Sequence, residues 1–242
     1  MNSFIIFLIF VTISLSSAIK LPASFKRCKS NDMTCLKDAI QDALPKLKDG
    51  LKDLGVPSLS PLVIPKMTIG AGNIVKLVQN YENSKCYGLS DSIVKEVSLD
   101  MDKGKLVIDV EGKLAEMNAS YTINGKILIL DVYGSGECMI RIEGLKGQFT
   151  LDLETYIKNN NKYLKGTNAD LVLHCEQATF QFDNLFDGNK QLGDNINKVL
   201  NDNWKQIYEE LSPAYMKSIA ISLLNLTNKL FSKIPIQDMF LN

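Results

Sequence analysis

The sequence predicts an α+β fold: a long, strongly curved antiparallel β-sheet wrapped around a long C-terminal α-helix, with a short helical region at the N-terminus. Three observations carry this. Apolar residues recur at three- and four-residue spacing near both ends of the chain, the signature of amphipathic helices. Between about residues 72 and 184 the period falls to two, the signature of strands. The stretch 216–231 is apolar over much of its circumference, which marks a buried helix. A sheet this long twists and coils, and wrapping it around that helix is the economical arrangement.

Each element follows in order. Residues 1–18, "MNSFIIFLIFVTISLSSA", carry no charge, hold an apolar core from Phe4 to Leu15 and end in small residues. The stretch is shorter than the roughly 20 residues a membrane span needs. It reads as a secretory signal peptide, with an uncleaved anchor as the alternative, and leaves 19–242 as a single domain. Residues 32–54 are helical in pattern through Leu36, Ala39, Ile40, Ala43, Leu44, Leu47, Leu51 and Leu54. Pro45 predicts a kink, or a second helix with Pro45 in its first turn. "GVPSLSPLVIPKMTI", with Pro57, Pro61 and Pro65, reads as an irregular connector.

The meander follows in segments such as "SIVKEVSLDM", "KLVIDVEGKL", "EMNASYTING", "KILILDVYG" and "ADLVLHCEQATFQF". Asp102-Lys103-Gly104 and Asn124-Gly125 are hairpin signals. Several segments, "ILIL" and "LVL" among them, are apolar on both faces, so one face must cover a helix or a ligand. After Gly188 a helical stripe runs from Leu192 to Leu211, through Trp204 and Tyr208. Ser212-Pro213 then predicts a kink or restart, a Ser cap followed by Pro at the first helical position.

Composition excludes several functions. Twenty-seven Lys and Arg balance twenty-seven Asp and Glu, which gives no electrostatic footprint for nucleic acid. His174 is the only histidine and no acidic cluster has ligand spacing, so neither a metal site nor a cofactor is expected. "YGSGE" has the wrong spacing for a nucleophile elbow, and "GAGN" at 70–73 lacks the third glycine of a dinucleotide fingerprint. A secreted esterase built on His174 is therefore a remote alternative to a structural or surface histidine.

All five cysteines follow residue 18, and a secreted setting permits disulfides. Seven residues of helix span about 10.5 Å, whereas bridged Cα atoms lie within about 7 Å. A Cys28–Cys35 bridge thus places Cys28 in an extended lead-in and Cys35 in the first helical turn, with Asn31 or Asp32 as N-cap. Two free or metal-binding thiols are the alternative. Asn118-Ala119-Ser120 and Asn225-Leu226-Thr227 are glycosylation sequons.

The opening "LPASFKRCKSNDMTCLKDA", its continuation "LPKLKDGLKDLGVPSLSPLVI", and the tail from "NKVLNDNWKQIYEEL" to "IPIQDMF" together resemble the takeout and juvenile-hormone-binding proteins of insects. The resemblance covers essentially the whole chain after the leader. It implies a fold akin to one half of bactericidal/permeability-increasing protein. It also implies a secreted extracellular carrier, in haemolymph or another fluid, with a small hydrophobic ligand as partner: juvenile hormone, another terpenoid, a fatty acid or a quinone. Circadian control, a monomeric state and no stable membrane insertion go with it. An interaction protein that binds a lipid surface or receptor is the runner-up.

Some hormone-binding members carry a second bridge, which suggests Cys138–Cys175 and leaves Cys86 free; buried thiols are the alternative. The resemblance does not fix the tunnel lining by position. The candidates are Leu36, Ile40 and Leu44 on the first helix, which by analogy acts as a lid, and Trp204, Tyr208, Tyr215, Ile219 and Leu223 on the last. Core packing competes with that role.

Overall fold

The computed structural model describes residues 20–241, and the leader reading of residues 1–18 lies outside them. Helix α1 (Met33–Lys46) is followed by seven strands: β1 (Leu62–Ile69), β2 (Val75–Tyr87), β3 (Ile93–Asp100), β4 (Lys105–Ile127), β5 (Leu130–Lys158), β6 (Asn161–His174) and β7 (Gln177–Phe182). Helices α2 (Lys190–Asp202), α3 (Trp204–Phe231) and α4 (Ile236–Met239) complete the chain. All strand pairs are antiparallel, in the order β1-β2-β4-β5-β6.

The two central strands are long, 23 and 29 residues, and their outer edges are shared. On β4, residues 116–127 pair with β2 and residues 105–111 with β3. On β5, residues 138–143 pair with β7 and residues 146–158 with β6. The sheet curls over α3, whose Ile207, Leu211, Met216, Ala220, Leu226 and Phe231 are buried. Ile221, Asn225 and Lys229 remain exposed, so α3 is covered along one side and not enclosed.

Several boundaries differ from the sequence reading. Pro45 lies in the last turn of α1, not the first turn of a second helix; beyond it only a 3₁₀ turn at Lys52–Leu54 forms. The expected connector contains β1. Pro65 is tolerated there because β1 is an edge strand and Pro65 has no partner in its register with β2. Asn124-Gly125 makes no hairpin: both pair within β4, and the chain turns at Leu128-Ile129. The Asp102-Lys103-Gly104 turn forms as predicted. At Gly104 (φ +62°) an added Cβ would lie 2.1 Å from the Leu153 carbonyl oxygen.

The C-terminal break falls at Asn203, and α3 does not restart at Pro213, which lies within one helix. Pro213 and Glu209, whose carbonyl loses its helical partner there, are both exposed, so water can meet that oxygen.

Amide side chains stitch the helices to the open edges of the sheet. From α2, Asn197 Nδ2 donates to the Phe182 carbonyl at 2.9 Å and Asn197 Oδ1 accepts from the Phe182 N–H at 2.9 Å. Asn201 does the same for Phe180, at 2.9 and 2.8 Å. From α3, Asn228 brackets Gly166 of β6, at 2.9 and 2.8 Å. From α1, Gln41 donates to the Ser92 carbonyl and accepts from the Val94 N–H at the start of β3. Each amide acts as one more strand residue and satisfies edge groups that would otherwise be stranded.

Candidate functional site

Three cavities lie along α3. The first, of about 200 Å³, lies between α1, β3–β5 and the C-terminal half of α3; Ile40, Leu44, Leu47, Phe149, Leu223 and Leu226 line it. The second, of about 80 Å³, is lined by Cys86, Met117, Phe180, Ile207, Tyr208, Leu211, Tyr215 and Ile219. Both are walled by Leu89, Ala115, Leu171 and Leu173, so they adjoin. The third, of about 20 Å³, shares Phe180, Ile207, Leu211 and Tyr215 with the second and reaches Gln79 and α2. From Leu226 to Ile207 the row follows about 28 Å of helix.

The walls are almost wholly carbon. Glu111 and Glu116 are the only charged lining residues among those described. Glu116 pairs with Arg141 at 2.7 Å, and this bond, with a second from Asn118, holds its carboxyl below the usual carboxylate range. Exposed Tyr87 brings the lining to the surface.

The candidate residues separate. Ile40, Leu44, Tyr208, Tyr215, Ile219 and Leu223 line the cavities. Leu36 does not: it faces Cys28, Leu151 and Phe231 in a second core under the other end of α1. Trp204, at the first position of α3, packs on the main core beyond the cavities.

Cys28 and Cys35 are bonded, with Cα atoms 5.7 Å apart. Asp32 is the N-cap, accepting from the Cys35 N–H at 2.9 Å. The clasp also holds the far end of the chain. Lys29 bridges to Leu241, the Leu241 N–H donates to the Cys28 carbonyl, and Arg27 donates to the carbonyls of Gln237 and Phe240.

Cys138 and Cys175 are free, as is Cys86, so the Cys138–Cys175 pairing is corrected. Cys138 faces Phe182 at the end of β7, whereas Cys175 precedes β7 and lies near Glu143. The separation is about five strand residues, on the order of 17 Å, far beyond bridging distance. Burial pushes the Cys86 and Cys138 thiols up to about 12.

Asn118 is half-buried on β4 and donates to Glu116; Asn225 is exposed on α3. His174 is exposed at the end of β6, with no hydrogen bond to a serine or an acid among the described residues. No group of three His, Cys, Asp or Glu among them could hold a metal ion, and none of their helices is long and apolar enough to cross a membrane.

Sequence reading missed one polar cluster. Gln79 and Tyr81 alternate inward on β2, 3 % and 1 % exposed, and meet Tyr215 of α3. Each hydroxyl oxygen lies 2.8 Å from Gln79 Oε1, and the two hydroxyls are hydrogen-bonded to each other at 2.6 Å. Burial raises both tyrosine pKa values, so the pair stays protonated. Gln79 Nε2 is buried with no partner. Period-two alternation could have flagged Gln79, since it breaks an otherwise apolar inner face at Val75 and Leu77.

A curled sheet on a long helix, enclosing an apolar passage, defines a class of protein that binds lipophilic molecules. The family model described as "Haemolymph juvenile hormone binding protein (JHBP)" matches residues 5–241, and the chain belongs to that family of lipophilic-ligand binders. The chain is similar to the circadian clock-controlled protein daywake of Drosophila melanogaster, 26% identical over 90% of this chain and 88% of that one. The juvenile hormone-binding protein of Manduca sexta is 23% identical over 38% of this chain and 40% of its own. Among solved structures, Takeout 1 of Epiphyas postvittana superposes with a TM-score of 0.81 at 26% identity, covering 90% of this chain and all of that one.

Proposed function

We propose that the chain is a secreted, monomeric carrier that encloses one small hydrophobic ligand along α3 and performs no catalysis. The observation that carries this is the row of adjoining apolar cavities between the sheet and α3. Removing apolar surface from water yields roughly 25 cal/mol per Å², enough for useful affinity when a chain-like ligand is enclosed. Residues 1–18 would direct secretion, and 19–242 form the one domain. Asn225, exposed on α3, is the better placed of the two glycosylation candidates; Asn118 has its amide engaged by Glu116. Juvenile hormone, another terpenoid, a fatty acid and a quinone remain the ligand classes, and α1 serves as the lid through Ile40, Leu44 and Leu47.

Native mass spectrometry of protein secreted from insect cells, followed by solvent extraction, tests the reading. An extractable apolar molecule in equimolar amount is expected. Its absence, together with no uptake of fluorescent terpenoid or fatty-acyl probes, would overturn the proposal.

One observation favours docking on a lipid surface as a second reading. The β4–β5 turn presents Leu128, Ile129 and Leu130 to solvent, with Ile129 86 % exposed. Co-sedimentation with neutral phosphatidylcholine vesicles that is lost in Ile129→Ser would support it; no co-sedimentation would remove it.

A further inference from the structure

Two protons serve three oxygen–oxygen contacts in the Gln79–Tyr81–Tyr215 cluster. One hydroxyl donates to the other and the second to Oε1, so neither tyrosine has a proton left for a ligand. The free donor is the Gln79 amide N–H pair, buried and unpartnered. A buried donor in that state costs about 1–3 kcal/mol, and nearly all buried polar groups in folded proteins are paired. Gln79 lines the third cavity, and Tyr215 lines both it and the second. The cluster therefore stands in the wall between the main passage and a chamber of about 20 Å³ at its α2 end. That chamber suits a group about the size of one water molecule, too small for a bulky head.

Charge narrows the partner further. The three cavities have no cationic lining among the described residues, and their two charged groups are both carboxylates. An ionised carboxylate here would be desolvated without a counter-charge, which is strongly unfavourable. Tyr81 and Tyr215 offer no relief, since their protons are already committed.

Resting on the carrier reading, we propose that Gln79, oriented by Tyr81 and Tyr215, is a headgroup site. It selects ligands that carry an uncharged hydrogen-bond acceptor, the carbonyl oxygen of an ester, ketone or quinone, over free fatty acids. The apolar remainder of the ligand lies along α3 toward α1. Tyr81 and Tyr215 are positioning residues: they hold Oε1, which fixes the amide plane and with it the direction of Nε2.

Competition against the fluorescent apolar probe N-phenyl-1-naphthylamine tests this with three ligands of matched length: dodecane, methyl dodecanoate and dodecanoate at neutral pH. The ester is expected to bind about three- to tenfold more tightly than the alkane, the range of one net hydrogen bond, and dodecanoate most weakly. Gln79→Leu should collapse the ester-to-alkane ratio toward one. Tyr215→Phe, which keeps the ring and removes one hydroxyl, should lower it partly. In the wild-type protein, the infrared band of a ¹³C-labelled ester carbonyl should shift to lower frequency on binding; this readout needs no variant to fold. An unshifted carbonyl, an unchanged ratio in Gln79→Leu, or dodecanoate as the tightest ligand each overturns the headgroup site. No uptake of the naphthylamine probe or any of the three would instead overturn the carrier reading beneath it.

Discussion

Asn197 and Gln79 are both buried amides on the inner side of the molecule, and they behave in opposite ways. Asn197 completes the backbone of Phe182 at 2.9 Å in both directions. Gln79 spends its oxygen on two tyrosines and leaves its nitrogen without a partner. The first amide belongs to the architecture, in company with Asn201, Asn228 and Gln41. The second sits beside empty space with its hydrogen-bonding capacity unspent. Satisfaction, and not burial alone, separates polar groups already spent on the fold from those with hydrogen-bonding capacity left over.

The largest expected effect breaks the structural side of this comparison. Asn197→Leu strands the N–H and the carbonyl of Phe182 and should lower unfolding free energy by about 2–5 kcal/mol, read by urea denaturation. Gln79→Leu removes a donor that is already orphaned but leaves one of the two tyrosine protons without an acceptor, a single stranded group where Asn197→Leu strands two; its cost should be about half as large, roughly 1–3 kcal/mol. Equal costs would erase the distinction.

Cys28→Ser with Cys35→Ser comes next. A loop this short contributes about 2–3 kcal/mol in the chain-entropy model. Because the clasp holds both the start of α1 and Leu241, release of a bound fluorescent probe should also accelerate, while far-ultraviolet dichroism from the sheet persists. Unchanged release kinetics would detach the clasp from the passage.

The smallest effect concerns Glu210. Its partial burial raises its pKa, but the N–H groups of Val75, Ile74 and Asn73 pull it further down, so the net shift is downward. A depressed folded pKa contributes stability above the unfolded value near 4.5. That contribution fades as pH falls below it, through the folded pKa. Glu210→Gln should therefore lower the thermal midpoint modestly at neutral pH and converge with the wild type under acid conditions. A difference that grows as pH falls would contradict the assignment. The same carboxylate explains "GAGN": a Cβ on Gly72 would lie 2.3 Å from Glu210 Oε1, so glycine there admits a side chain and not a nucleotide.

The meander, its turn at Asp102-Lys103-Gly104 and the apolar last helix were legible because periodicity reports burial directly. The Asn203 break and the uninterrupted Pro213 were not. Local propensity favours a restart at Ser212-Pro213, but packing of Ile207, Leu211 and Met216 on one continuous face overrides it. The fusion of short segments into β4 and β5 was hidden for a similar reason. Asn124-Gly125 spells a hairpin, and pairing on both sides, with Val78 and Leu77 of β2 and with Tyr133 and Val132 of β5, keeps it extended. The helix faces pointed to Tyr208, Tyr215 and Leu223, whereas the Gln79 cluster depends on β2 and α3 meeting across 136 residues, which no local pattern records.

Cys86 opens onto the passage and Cys138 lies buried nearby on β5, and burial holds both as thiols with values pushed up to about 12. The nucleophile of cysteine chemistry is the thiolate, and at physiological pH almost none forms here. Sulfur can therefore sit against a bound molecule as a soft, inert surface. On the carrier reading, an electrophilic cargo beside Cys86 would meet a thiol and not the thiolate that alkylation requires.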